Sequence, residues 1–344
     1  MLFDPHRIGG DPNAEDRIVW SAIQSGTTSV LGLNRNVGST IITGNDVTGQ
    51  LKSREARYTY AGQMVAVRRA ASTDPLDLEN IVDFYDNTGA IVKTLEIGQS
   101  PQDLVTDWTL DLDNNIYTVG DVAIKQVVKT DYSTNTKTFI DLEVPDGVAE
   151  VLDPEYIAYA PTDGLVIVEA TRTPGTSDEN LYVFSTSGTF VQARRVGDTT
   201  ASEAFIKGRS AYNVFINWTG SETQVYILNG LTPVSGATIS IPSGPGAVQA
   251  AINEVSDIFL HYGTDLYRYN TSGAEILVED IGISALQSKM TIDQFNNIYI
   301  TDFATGAVSA YRQNDFSLKW KRTISDVTAT VGDYLPIGYK TNWN

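Results

Sequence analysis

The chain of 344 residues offers two histidines, His6 and His261, and no cysteine for nucleophilic or acid–base chemistry. A hydrolytic triad needs a base beside a nucleophile and a third group to orient it. His6 lies near the N-terminus, His261 follows the apolar Phe259-Leu260, and no Gly-x-Ser-x-Gly elbow supplies a nucleophile. His261 therefore reads as a packed or hydrogen-bonded strand residue. Two carboxylate pairs remain, Asp111 with Asp113 and Asp293 with Asp302, which in other settings do glycosidase-type work. Both sit at strand turns, where Asp and Asn side chains bond their own backbone. Turn formation is the preferred reading, and no catalytic residue is expected.

Metal chemistry is equally thin. Asp111-x-Asp113-x-Asn115 begins like a calcium loop, which supplies several oxygen ligands to a hard cation. The pattern then breaks, with Ile116 at its sixth position and Val122 at its twelfth. Without cysteine, Cys-ligated zinc and iron–sulfur sites are excluded, as is a disulfide framework. No cofactor and no metal are expected. The five tryptophans, Trp20, Trp108, Trp218, Trp320 and Trp343, share no phase that would build a stacking platform for sugars and are assigned to packing. Short basic clusters occur at Arg68-Arg69, Arg194-Arg195 and Lys319-Trp320-Lys321-Arg322. Each flanks or lies in an expected strand, where charges guard exposed edges.

The formal net charge is −18, which argues against nucleic acid, since that partner requires a basic stripe. No apolar run approaches the roughly 18 residues of a membrane span, and Met1–Arg7 lacks the apolar core of a secretory signal. Neither nucleic-acid binding nor membrane insertion is expected. The acidity reads mainly as a solvated coat.

The elements that position these residues announce themselves as a repeat. Phe84–Gly98 (FYDNTGAIVKTLEIG), Val183–Gly197 (VFSTSGTFVQARRVG) and Arg268–Gly282 (RYNTSGAEILVEDIG) align without a gap. Each has an aromatic second residue, a Thr/Ser-Gly pair and a closing aliphatic-Gly. That is a hairpin: a strand, a turn in which glycine supplies positive φ, and a second strand. A second echo, Leu110–Tyr117 (LDLDNNIY) and Thr291–Tyr299 (TIDQFNNIY), supplies the strand pair before the hairpin. Hairpin turns near Asn45, Gly89, Asn135, Gly188, Leu231, Gly273 and Asp315 span 270 residues in six steps, a mean of 45. Four short strands in a unit of about 40–50 residues mark a β-propeller.

The stretches Asp113–Asp121 and Asn296–Asp302 resemble NHL-type repeats, and the chain is similar to propellers of the broad NHL or WD40-like kind. The seven turns and their period give an all-β, seven-bladed propeller, with six or eight blades as alternatives, whereas NHL propellers usually have six. The propeller occupies residues 17–344, with Tyr334–Trp343 pairing into a first blade around Arg17–Leu33. Residues 1–16, with Asp4-Pro5 and Asp11-Pro12, are expected to form an extended N-terminal arm.

Taken together, no catalytic set, no cysteine, no signal segment and a polar arm lead to a non-enzymatic structural or interaction propeller. The specific expectation is a virion component of a tailed phage, from the tail or attachment region. Its partners would be other virion proteins or copies of itself. The contact candidates are Leu2, Phe3, His6, Arg7 and Ile8 in the arm, Thr173, Thr176 and Asp178 in the loop Arg172–Asn180, and Lys319, Lys321 and Arg322. Two alternatives stay open: a calcium-dependent lactonase or hydrolase-like propeller enzyme, and a glycan- or peptide-binding propeller. The corresponding localisation is the virion, with extracellular or cytoplasmic settings as alternatives.

Overall fold

The computed structural model describes residues 17–24, 27–34, 40–45, 53–59, 64–68, 81–86, 90–97, 105–120, 126–148, 154–160, 164–169, 179–197, 201–207, 211–242, 248–253, 255–292, 297–302, 304–323 and 337–338. These residues form seven four-stranded antiparallel sheets. Among the described residues, a short 3-10 turn at Ala285–Gln287 is the one departure from the all-β character. No helix among the described residues is long and apolar enough to cross a membrane.

Sheet 1 holds Arg17–Gln24, Thr27–Asn34, Thr40–Asn45 and Ile337–Gly338. Sheets 2 to 7 begin at Ser53, Val105, Pro154, Ala201, Val248 and Ser288 and end at Glu96, Asp141, Arg194, Ile241, Asp280 and Thr323. Each of these six is a meander of four strands consecutive in sequence. In sheet 1 the strand from the C-terminal region pairs beside Arg17–Gln24, with Val19 opposite Gly338 and Trp20 opposite Ile337.

The sheets fall into two compact units. One holds sheet 1, sheet 2 as far as Leu95, and sheet 7; the other holds sheets 3 to 6. Within the second unit the first strands of sheets 3 and 4 lie side by side. The Ile157 amide donates to Asp107 Oδ2 at 2.9 Å and the Tyr159 amide to Thr109 Oγ1 at 3.2 Å. Their faces pack in turn. Val166, Val183 and Phe215 share a core between sheets 4 and 5, and Val225, Ile239 and Leu260 share one between sheets 5 and 6.

Such packing explains the apolar runs. Leu181–Phe184 is buried at every residue, as is Asn297–Asp302, because third and second strands have both faces covered. Fourth strands are edges: Glu275–Asp280 is exposed at all but one residue and carries three acidic side chains. Burying one large apolar side chain contributes about 1.5–3 kcal/mol, so the middle strands carry the stability.

The turns of the repeat are built by the residue immediately after its aromatic position. Ser185 Oγ accepts the Ser187 and Thr189 amides. Asn270 Oδ1 accepts the Ser272 and Ala274 amides, and Asp86 Oδ1 accepts that of Ala90. Gly188 and Gly273 have φ of +87° and +76°, the left-handed region that favours glycine. In sheet 3, Asp131 does the same work toward Ser133 and Thr134, and the Ser133 hydroxyl holds its carboxyl far below the ordinary range.

Candidate functional site

In each of the six meander sheets the antiparallel connectivity places the first–second and third–fourth turns at one end and the second–third turn at the other. The two ends of the second unit differ in what their carboxylates are doing.

At the first–second turn of sheet 3, Asp111 is buried and fully engaged. Its Oδ1 accepts the amides of Asp113 and Asn115, each at 2.9 Å. Its Oδ2 accepts Asn115 Nδ2 at 2.9 Å and the Tyr117 hydroxyl at 3.1 Å. Asn115 Oδ1 in turn accepts the Tyr132 amide. Burial, with the Asp111 charge second, drives the Tyr117 phenol far above its ordinary range, so it remains a donor. Calcium does not fit here, because four donor hydrogens already point at the oxygens that would bind it. Among the described residues no group of three or more His, Asp or Glu side chains converges to hold a metal. Asp302 likewise accepts the Ala304 amide and the Thr305 hydroxyl, while Asp293 lies outside the described residues.

The second–third turn of sheet 6 is arranged differently. Gly263-Thr264 joins strand Ile258–Tyr262 to strand Asp265–Tyr269, with Tyr262 directly opposite Asp265 and Leu260 opposite Tyr267. Alternation along a strand then puts Asp265, Tyr267 and Tyr269 on one face, shared by Tyr262 across the pair. Tyr262 and Tyr267 stack with ring centroids 4.2 Å apart and planes 3° from parallel, and Tyr269 follows at 6.1 Å. The Tyr267 hydroxyl donates to Asp265 Oδ2 at 3.3 Å. Burial is the first cause holding the Tyr267 and Tyr269 phenols protonated far above the usual range, with Tyr262 beside them as a further cause. Among the described residues the Tyr267 hydroxyl is the side-chain donor that meets the Asp265 carboxylate, which is partly buried.

The loop after this sheet's fourth strand braces the turn. The Ala285 amide donates to the Gly263 carbonyl at 2.9 Å and the Ile281 amide to that of Thr264 at 3.0 Å. Gln249 Nε2 donates to the Ala285 carbonyl at 2.7 Å. Such a scaffold fixes a carboxylate and two phenols without further motion.

His261 stands on the opposite face of the same strand, fully buried, with Nε2 2.9 Å from the Ile283 carbonyl. That ring nitrogen is the donor, so the ring is a structural pin. Burial lowers its pKa below the ordinary value, against the opposing pull of the Ile283 hydrogen bond. On acidification the unfolded chain therefore binds a proton first. His261 contributes stability that is present above about pH 6.5 and lost as pH falls below it. The urea midpoint of the wild type is expected to drop more steeply between pH 7 and 5 than that of His261→Gln, which keeps a donor for Ile283. Parallel pH profiles would count against this assignment.

Of the contact candidates of the sequence, only three belong to the described residues. Leu2, Phe3, His6, Arg7, Ile8, Thr173, Thr176 and Asp178 lie outside the described residues. Lys319, Lys321 and Arg322 are on the fourth strand of sheet 7, where Lys319 Nζ donates to Asn297 Oδ1 at 2.6 Å. Trp108 and Trp320 are buried, the latter against Tyr299 at 6.1 Å, and Trp218 ends a strand. Tyr262, Asp265 and Tyr267 are absent from every candidate set of the sequence reading. The signal was the alternation Asp265-x-Tyr267-x-Tyr269 across a two-residue turn.

The meander sheets and their face-to-face packing define the chain as an all-β propeller. No family model and no curated protein matches the sequence. Solved structures do. The chain is similar to apo AztD from Citrobacter koseri, with TM-score 0.60, 11% identity, and 94% of this chain and 96% of that one covered. Virginiamycin B lyase from Staphylococcus aureus has TM-score 0.56 and 12% identity, covering 80% and 85%. A 6-phosphogluconolactonase-like protein from Bacteroides fragilis has TM-score 0.62 and 11% identity, covering 92% and 98%.

These likenesses overturn the expectation of a non-enzymatic virion component. The same fold is carried by a lyase and a lactonase-like protein, and none of the three bears a virion name. The error has a physical source. Scarce histidine and missing cysteine do not exclude catalysis, because carboxylates and phenols are acid–base groups without either.

Proposed function

We propose that this chain is a propeller enzyme that opens a cyclic ester, with Asp265 as the base. The observation that carries the reading is the partly buried Asp265 carboxylate set beside Tyr262 and Tyr267 on a braced turn. The shared fold of a 6-phosphogluconolactonase-like protein and a lyase supports it.

The step balances simply. Asp265 takes a proton from water, and the water oxygen forms a bond to the ring carbonyl carbon. The carbonyl oxygen gains negative charge and is met by a hydrogen bond from the Tyr262 hydroxyl. The ring C–O bond breaks, and the departing alkoxide recovers the proton from Asp265. Lactone and water become one hydroxy acid. No metal enters the step.

Purified protein incubated with a panel of five- and six-membered lactones, neutral and phosphorylated, tests this by product analysis. A ring-opened hydroxy acid formed faster than in buffer is the expected outcome. An unsaturated acid would show elimination instead, and no conversion of any panel member would refute the reading.

A further inference from the structure

A groove of about 750 Å³ runs between the fourth strand of sheet 3 and the third–fourth turn of sheet 4, which is the opposite type of sheet end from Asp265. Its size falls within the range of about 300–1,000 Å³ typical of small-molecule sites. One wall is the edge strand Lys137–Asp141, which presents Phe139, 49% exposed, and Asp141, with Glu143 just beyond. The other wall is the turn Thr186–Thr189 leading into Phe190.

The second wall is stiff. Ser185 holds the turn through the Ser187 and Thr189 amides, and Phe190 is fixed edge-on against Phe184 at 5.8 Å and 76°. Gly188 lies so close to the first wall that an added Cβ would be 2.5 Å from Ile140 Cγ2. At the base, Lys129 Nζ sits 5.6 Å over the Tyr117 ring.

The chemistry of this lining is selective. Two carboxylates against one ammonium disfavour an anionic ligand, which excludes phosphates and acidic sugars. An exposed phenyl ring offers a flat apolar face. The lining also includes the hydroxyl-bearing Ser187 and Thr189 and the carboxylates of Asp141 and Glu143. A ligand matching all three properties has an apolar C–H face, many hydroxyl donors and no charge.

We infer that this groove is a binding site for a neutral saccharide, stacked on Phe139 with its hydroxyls donating to Asp141 and Glu143. The site stands apart from the residues proposed for lactone opening and does not rest on that reading. Neither its walls nor its base include Tyr262, Asp265 or Tyr267.

The test is a calorimetric and saturation-transfer NMR titration of the full chain. The probes are methyl glycosides of glucose, galactose, mannose and N-acetylglucosamine, with their linear tetrasaccharides. At least one probe is expected to bind, Phe139→Ala to weaken it by about tenfold, and Phe139→Trp to retain it. Phe139 is exposed, so both variants are expected to keep the wild-type unfolding midpoint. The inference is overturned if no probe binds up to about 50 mM, well above the millimolar range of weak sites. Binding that Phe139→Ala leaves unchanged, or preference for a cationic peptide over every sugar, overturns it equally.

Discussion

Asp265→Asn is expected to lower the rate of lactone opening by about a hundredfold or more, the range ascribed to a positioned general base. The amide keeps the size of the carboxylate and can still accept from the Tyr267 hydroxyl, so stacking of Tyr262 on Tyr267 survives. What is lost is the ability to take a proton from water. The change should fall on kcat, with KM nearly unaltered, because substrate contacts through the Tyr262 hydroxyl remain. Asp111→Asn supplies the comparison. Its carboxylate accepts four hydrogen bonds at the other end of a sheet, so an amide nitrogen there would face donors. Stability should fall in that variant while turnover per folded molecule holds. Loss of turnover in Asp111→Asn with full activity in Asp265→Asn would reverse the assignment of the two ends.

Gly164→Ala is expected to destabilise the fold by roughly 3 kcal/mol or more, read as a lowered urea midpoint at unchanged slope. Gly164 opens the second strand of sheet 4 at φ +98°, where an L side chain is strained. Space is the second penalty. An added Cβ would stand 2.3 Å from the Phe184 carbonyl oxygen and 3.2 Å from Ser185 Cα, both backbone atoms of the neighbouring strand. Backbone cannot step aside without breaking the pairing of Leu165 with Phe184. Gly188→Ala makes an instructive contrast. The nearest obstacle there is Ile140 Cγ2, a side-chain atom, with the Asp141 carbonyl oxygen farther off at 3.2 Å, so the loss should be smaller than where backbone is met at 2.3 Å. Equal destabilisation by the two substitutions would contradict this distinction between backbone and side-chain obstacles.

How the sequence spoke of these features follows from the range of the forces involved. The hairpin repeat was legible because its turns are local: Asp86, Ser185 and Asn270 each organise a turn within four residues. The apolar runs at Leu181–Phe184 and Ile298–Thr301 were legible as strands because both of their faces are covered. Asp111 and Asp302 were correctly read as turn residues for the same local reason. The candidate site was not legible in this way. Tyr262 and Asp265 meet through antiparallel register, and the turn that sets it is braced by Ile281 and Ala285 from a later loop. The repeat as aligned begins at Arg268, and so passes over Tyr262, Asp265 and Tyr267. Function was misjudged for a related reason. Counting histidine and cysteine surveys residue types, whereas the adjacency of Asp265 to Tyr262 and Tyr267 is set by register across the turn.

The most direct measurement is a single turnover of a lactone by the wild-type protein in heavy-oxygen water, with the label located in the product by mass spectrometry. Attack by a water molecule activated at Asp265 predicts one solvent oxygen in the new carboxylate and none in the hydroxyl. Label in the hydroxyl, label retained on Asp265 after the first turnover, or no product at all would contradict the account.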